Sequence, residues 1–92
     1  IAEALGDKKV IILQNHGILT TGPSVDIALW FYTSMERCCQ AQLMADAAGE
    51  TQLIPHDTAI KTRSFIANDV AAWASFQPAF DMICKKEPDL FD

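Results

Sequence analysis

Residues 10–22 limit the possible folds of this chain more than any other stretch. They open with four apolar residues, mostly β-branched, a run typical of a strand that is buried on both faces. Gly17 then provides the backbone freedom that a sharp turn or a close ligand needs. A second β-prone run follows at residues 18–21, and Gly22-Pro23 ends it. The pattern predicts two short strands joined by a turn that carries His16.

His16 follows the end of the first predicted strand and precedes a glycine. A strand end holds a side chain rigidly, and imidazole is a common zinc ligand. A histidine in a short loop also suits a hydrogen-bonded structural role or a solvated one. A catalytic zinc needs about three protein ligands, and this stretch offers one. The residues alone therefore leave both interpretations open.

Three helices are predicted after the strands. Ser24 is a suitable N-cap for a long helix that ends near Gly49. This helix is apolar on much of its circumference, which predicts burial inside a larger body. A second helix is predicted over residues 56–67. A third begins after Asn68, continues through Pro78 with a bend, and stops before Pro88, leaving residues 89–92 as a tail.

Four motifs follow one another in the first half of the chain: Leu13-Gln-Asn-His-Gly-Ile-Leu19, Ala28-Leu-Trp30, Met35-Glu36 and Gln40-Ala-Gln-Leu43. Together they resemble the class II aldolase/adducin family, in which a strand, a His-Gly turn, a short strand and a long helix occur in this order. The resemblance implies an α/β fold. Residues 1–92 would form the C-terminal part of a single α/β/α domain, with two short strands, a long helix and two further helices. Most of the sheet would belong to an N-terminal part outside this sequence.

The resemblance also implies a metal ligand. In enzymes of the family, the histidine before the glycine is one of three that bind zinc, and His16 falls on that position. The other ligands and the acidic catalytic residue come from upstream in the family, so no catalytic residue is expected here and substrate-binding residues stay unknown. His56 matches no ligand of the family.

Glu36 is a second candidate for the site. Its neighbours along the predicted helix are largely apolar, and a buried carboxylate must be paired or hydrogen-bonded. One interpretation is an ion pair, or a contact with Gln40 four residues further on. The other is that Glu36 supports His16 or its turn without binding the metal itself.

Two functions follow from the resemblance. The first is part of a zinc-dependent aldolase-type lyase. Its substrate would be a small hydroxy-carbonyl compound resembling a sugar phosphate, and zinc would stabilise an enediolate. Relatives use the same site for epimerisation or decarboxylation. The alternative is an adducin-like scaffolding domain without catalysis, so it stays open at this point whether the protein is an enzyme. The expected partners are the rest of its own domain or neighbouring subunits of a homo-oligomer, a tetramer by resemblance.

Composition excludes several other classes. Ninety-two residues form one small domain at most, and the net charge of −5 argues against binding nucleic acid through its phosphates. No apolar run is long enough to span a membrane.

The sequence contains three cysteines, Cys38, Cys39 and Cys84. An odd count with two adjacent residues predicts reduced thiols in a cytoplasmic protein rather than a disulfide framework.

Overall fold

A two-stranded antiparallel sheet lies beside a layer of helices in the computed structural model, which describes residues 1–91. The elements in chain order are α1 (Ala2–Leu5), β1 (Val10–Leu13), β2 (Gly17–Thr20), α2 (Val25–Ala48), α3 (His56–Ile66), α4 (Asp69–Lys86) and a 3₁₀ helix (Pro88–Phe91). The order of two short strands, a long helix and two further helices agrees with the expectation from sequence. Among residues 1–91, no helix has both the length and the apolar character that crossing a membrane requires.

The two strands form a hairpin in which Val10 lies opposite Thr20 and Leu13 lies opposite Gly17. The second strand was expected at residues 18–21 and begins one residue earlier, because pairing with Leu13 brings Gly17 into the ladder. Burial of β1 on both faces was also expected, yet Ile12 is 61% exposed. Within the described residues β1 pairs with one strand only, so its other edge and part of its surface stay uncovered.

Helix α2 begins where the sequence predicts. The Ser24 hydroxyl accepts a hydrogen bond from the amide of Ile27, at 3.3 Å, and so caps the helix. The hydroxyl of Thr20 donates to the carbonyl oxygen of Ala28, at 2.7 Å, and ties β2 to the first turns of α2. Gly22 lies between them, and a Cβ built there would come within 3.0 Å of Ala28 N. The connection is therefore tight at Gly22, where a larger residue would force its neighbours to shift.

The core is small and lies between α2, α4 and the hairpin. Ile27 and Phe31 of α2 and Ala72 of α4 are its buried members, and Val10 and Trp30 pack against them while partly exposed. All of the buried positions on α2 lie in its N-terminal half, because that half faces β2 and α4. The apolar residues further along α2 have no comparable partner in the described residues.

Two polar contacts join α4 to the rest of the fold. The ammonium of Lys9 lies 3.5 Å from a carboxylate oxygen of Asp69 and 5.2 Å from the centre of the Phe31 ring. The amide nitrogen of Gln77 donates to a carboxylate oxygen of Asp26, at 3.1 Å. Each contact links residues distant in sequence, so together they set the position of α4 against β1 and α2.

The last helix confirms the prediction of one continuous element through Pro78. The side chain of Asn68 caps it by accepting from the amide of Ala71, at 2.8 Å. The tail after it turns back on the helix, and the rings of Phe80 and Phe91 lie 6.3 Å apart between centroids. The last residue of the predicted tail, residue 92, lies outside the described residues.

Candidate metal-ligand site

The connection between β1 and β2 consists of Gln14, Asn15 and His16. The amide of His16 donates to the carbonyl oxygen of Leu13, at 3.1 Å, and closes a four-residue turn. Asn15 has a φ of 61° and Gly17 a φ of 138°. The backbone thus has positive φ on both sides of His16, which few residues other than glycine and asparagine adopt at low cost.

The imidazole of His16 lies exposed at this turn. Within residues 1–91 it forms no hydrogen bond and no ion pair, and the contact of this residue with the turn is made by its backbone amide. His16 is therefore not a buried, hydrogen-bonded residue within the described part of the chain. Neither ring nitrogen has a hydrogen-bond partner within the described residues.

A single exposed imidazole fits the requirements of one zinc ligand. Residues 1–91 bring together no group of three histidine, cysteine or acidic side chains that could hold a metal ion by themselves. The fit therefore holds for a shared site, in which His16 supplies one ligand and the others come from outside these residues. His56, the other histidine, is also exposed and begins helix α3 on a different part of the chain.

Glu36 lies in the middle of α2 and is exposed, which differs from the buried position expected from its apolar neighbours. No hydrogen bond or ion pair joins it to His16 or to another side chain in the described part of the chain. Half-buried residues such as Met35 and Cys39 occupy another side of α2 at the same level, so the side that carries Glu36 is the uncovered one. Gln40, one turn further along, is exposed as well.

Two grooves that border β1 lie away from the His16 turn. The larger, of about 630 Å³, adjoins the start of β1, whereas His16 follows the end of that strand. Its lysines have carboxylates close by: Lys8 lies 3.6 Å from Asp7, and Lys9 contacts Asp69. The smaller, of about 490 Å³, is mainly apolar and lies between β1 and α2. It is lined by Ile12, Met35, Cys38, Cys39, Gln42 and Leu43.

The three cysteines are free thiols in the described residues, with Cys38 exposed and the other two half-buried.

Asn15 is the site residue that sequence reasoning missed. Asparagine tolerates positive φ better than most residues, so its place just before a His-Gly pair was a usable signal. The turn was assigned to the freedom of Gly17 alone, although Asn15 shares that role.

Comparison with known proteins identifies the fold and the family. The family model for the class II aldolase and adducin N-terminal domain matches residues 1–43. L-fuculose 1-phosphate aldolase from Glaciozyma antarctica PI12 superposes with a TM-score of 0.91 at 40% sequence identity, over 96% of this chain and 35% of that one. Decarboxylase NovR of Streptomyces niveus is 39% identical over 98% of this chain and 33% of its own length. Adducin-related protein 1 of Caenorhabditis elegans is 34% identical over 62% of this chain and 8% of its own.

The fold and its strand–turn–strand–helix order define an α/β protein of the class II aldolase type. The chain belongs to the class II aldolase and adducin family, which confirms the resemblance seen in its motifs. It spans about a third of the length of curated relatives such as decarboxylase NovR. The fold class expected from sequence, a portion of a class II aldolase domain with two short strands and three main helices, is confirmed.

Proposed function

We propose that this chain is part of a zinc-dependent carbon–carbon lyase of the aldolase type, to which it contributes His16 as one metal ligand. The observation that carries the proposal is the exposed imidazole of His16, which follows a strand and is free of partners in residues 1–91. A buried structural histidine would use at least one ring nitrogen in a hydrogen bond. A solvated histidine without a ligand role differs from the proposed one in the metal measurement given below.

The chemistry of the site follows from this ligand. When bound, zinc supplies Lewis-acid polarisation of a substrate carbonyl and stabilises the negative charge of an enediolate. His16 would hold the metal at the end of β1, where the hydrogen bond that closes the turn limits movement of its backbone. The substrate class that suits this chemistry is a small hydroxy-carbonyl compound, such as a sugar phosphate. Aldol cleavage and decarboxylation both break a carbon–carbon bond, and relatives named for each reaction support a lyase.

The remaining parts of the site are proposed to lie outside this chain's residues. The chain would form the C-terminal part of one domain, and the rest of that domain would supply the other ligands and most of the sheet. The uncovered edge of β1 and the exposed second half of α2 support such partners, which include neighbouring subunits of a homo-oligomer, a tetramer in our proposal. Glu36 would then support His16 through contacts made in that assembly, because it has none within residues 1–91.

The alternative function is an adducin-like scaffolding domain that keeps the fold without metal chemistry. The match to adducin-related protein 1 favours it. The turn around His16 argues for the enzyme, because a scaffold has no need to present a free imidazole between two residues of positive φ. The two functions differ in one measurable property, the bound metal.

The test is His16→Ala in the assembled protein, with His56→Ala as the matched control. Both histidines are exposed, so both variants should fold. We expect His16→Ala to lose most of the bound zinc and nearly all lyase activity, and His16→Asn to do no better, because an amide is a poor zinc donor beside imidazole. His56→Ala should keep both. Metal content by mass spectrometry and the melting temperature are measured on the same samples.

Two results would decide against the proposal. Zinc that stays at its original stoichiometry in His16→Ala would remove His16 from the ligand set and favour the scaffolding function. A large fall in melting temperature with unchanged metal content would give His16 a structural role instead.

A further inference from the structure

The turn that carries His16 contains a feature that the proposed function does not by itself require. Asn15 is the one residue other than glycine with positive φ among the described residues 1–91. It is the third residue of the turn closed by the hydrogen bond from the His16 amide to the Leu13 carbonyl. At this position of a β-turn, a positive φ is favourable for glycine or asparagine and costly for most other residues.

In this hairpin, the direction of the His16 side chain depends on the φ of Asn15. Leu13 and Gly17 lie opposite each other in the strand ladder, so both ends of the connection are fixed. Only Gln14, Asn15 and His16 lie between them. A change of φ at Asn15 from positive to negative would rotate the peptide that leads into His16, and the short connection leaves little room to compensate.

The contribution of Asn15 comes from its backbone. Its side chain is exposed, and within residues 1–91 it makes no hydrogen bond. We propose that Asn15 is a positioning residue, which directs the His16 imidazole toward the metal by adopting the left-handed conformation. This inference rests on the proposed function, since it takes His16 to be a zinc ligand.

The test compares Asn15→Gly with Asn15→Ala in the assembled protein. Glycine adopts positive φ freely, whereas alanine does not. We expect Asn15→Ala to weaken zinc binding about 10-fold, the lower end of the range for residues that orient a metal ligand. Asn15→Gly should stay within about twofold of the original protein, because the backbone conformation survives. Zinc affinity is measured by competition with a chromogenic chelator.

A second measurement does not depend on metal. Hydrogen exchange of the His16 amide in the zinc-free protein reports the bond to Leu13 directly. Exchange should be faster in Asn15→Ala and nearly unchanged in Asn15→Gly. If Asn15 acted through its side-chain amide instead, exchange of the His16 amide would be as fast in Asn15→Gly as in Asn15→Ala.

The possible outcomes separate this inference from the proposed function. Zinc binding weakened about 10-fold or more in Asn15→Gly overturns the backbone argument, and this outcome can be read even when the alanine variant does not fold. Zinc affinity unchanged in Asn15→Ala, together with zinc loss in His16→Ala, overturns the role of Asn15 alone. Zinc retained in His16→Ala overturns the proposed function, and the inference about Asn15 with it.

Discussion

The 92-residue chain on its own should self-associate, bind a hydrophobic dye or fail to unfold cooperatively. Its accessible surface is 7650 Å². A compact monomer of 10.1 kDa would expose about 5300 Å², so the excess is about 2400 Å². The radius of gyration of 15.6 Å also exceeds the value of about 12 Å for a compact chain of this length. An excess of this size on one chain reaches the upper range of what obligate interfaces bury per partner, about 1000–2500 Å².

Two of the exposed large apolar side chains lie next to each other in the second half of α2. Leu43 is 70% exposed and Met44 is 66% exposed. Burying such a side chain fully stabilises by about 1.5–3 kcal/mol. The exposed portions of the two together would then contribute about 3 kcal/mol to association, or roughly 100-fold in the dissociation constant. Replacing both with glutamate should therefore weaken self-association by at least this factor.

A matched control adds the same charge without removing apolar surface. Gln40→Glu with Ala41→Glu places two carboxylates on the same exposed stretch of α2. The assays are light scattering after size-exclusion chromatography, dye fluorescence and a thermal melt. A strictly monomeric chain with one sharp two-state transition would refute the reasoning. Equal association of the two double variants would show that charge, rather than apolar area, governs the contact.

Two further substitutions test the packing of the helices in the assembled protein. Gly22→Ala should lower the free energy of unfolding by about 1–3 kcal/mol, because its Cβ would lie 3.0 Å from both Ala28 N and a methyl carbon of Ile27. A denaturant midpoint equal to that of the original protein would contradict this close approach. Pro78→Ala should straighten α4 and lower stability by about 1 kcal/mol, since Gln77, which binds Asp26, would shift; an unchanged or raised melting temperature would count against it.

The local elements of this protein could be predicted from its sequence. Ser24 and Asn68 cap their helices through side chains that reach an amide three residues ahead, so the signal lies within one turn. The sequence predicted one helix that continues through Pro78, and α4 is one helix. The position of His16 after a strand followed in the same way, because strand and turn signals lie next to each other in the chain.

The conformation of Asn15 was decided by pairing between strands. The positive φ at that residue is part of how the three-residue connection between Leu13 and Gly17 closes, and the register of the two strands sets the length of that connection. Sequence alone allowed the turn to be assigned to glycine, since glycine adopts such conformations most readily. The direction of His16 is therefore a property of the paired hairpin.

Burial along α2 was likewise decided by tertiary contacts. Apolar residues occupy both halves of this helix, yet Phe31 is buried while Leu43 is 70% exposed. The apolar pattern reports which side chains favour burial, and it is similar in the two halves. Which of them are covered depends on where β2 and α4 end, and both contact the N-terminal half. Glu36 is exposed although Met35 and Cys39 nearby are half-buried, because only their side of α2 borders β1.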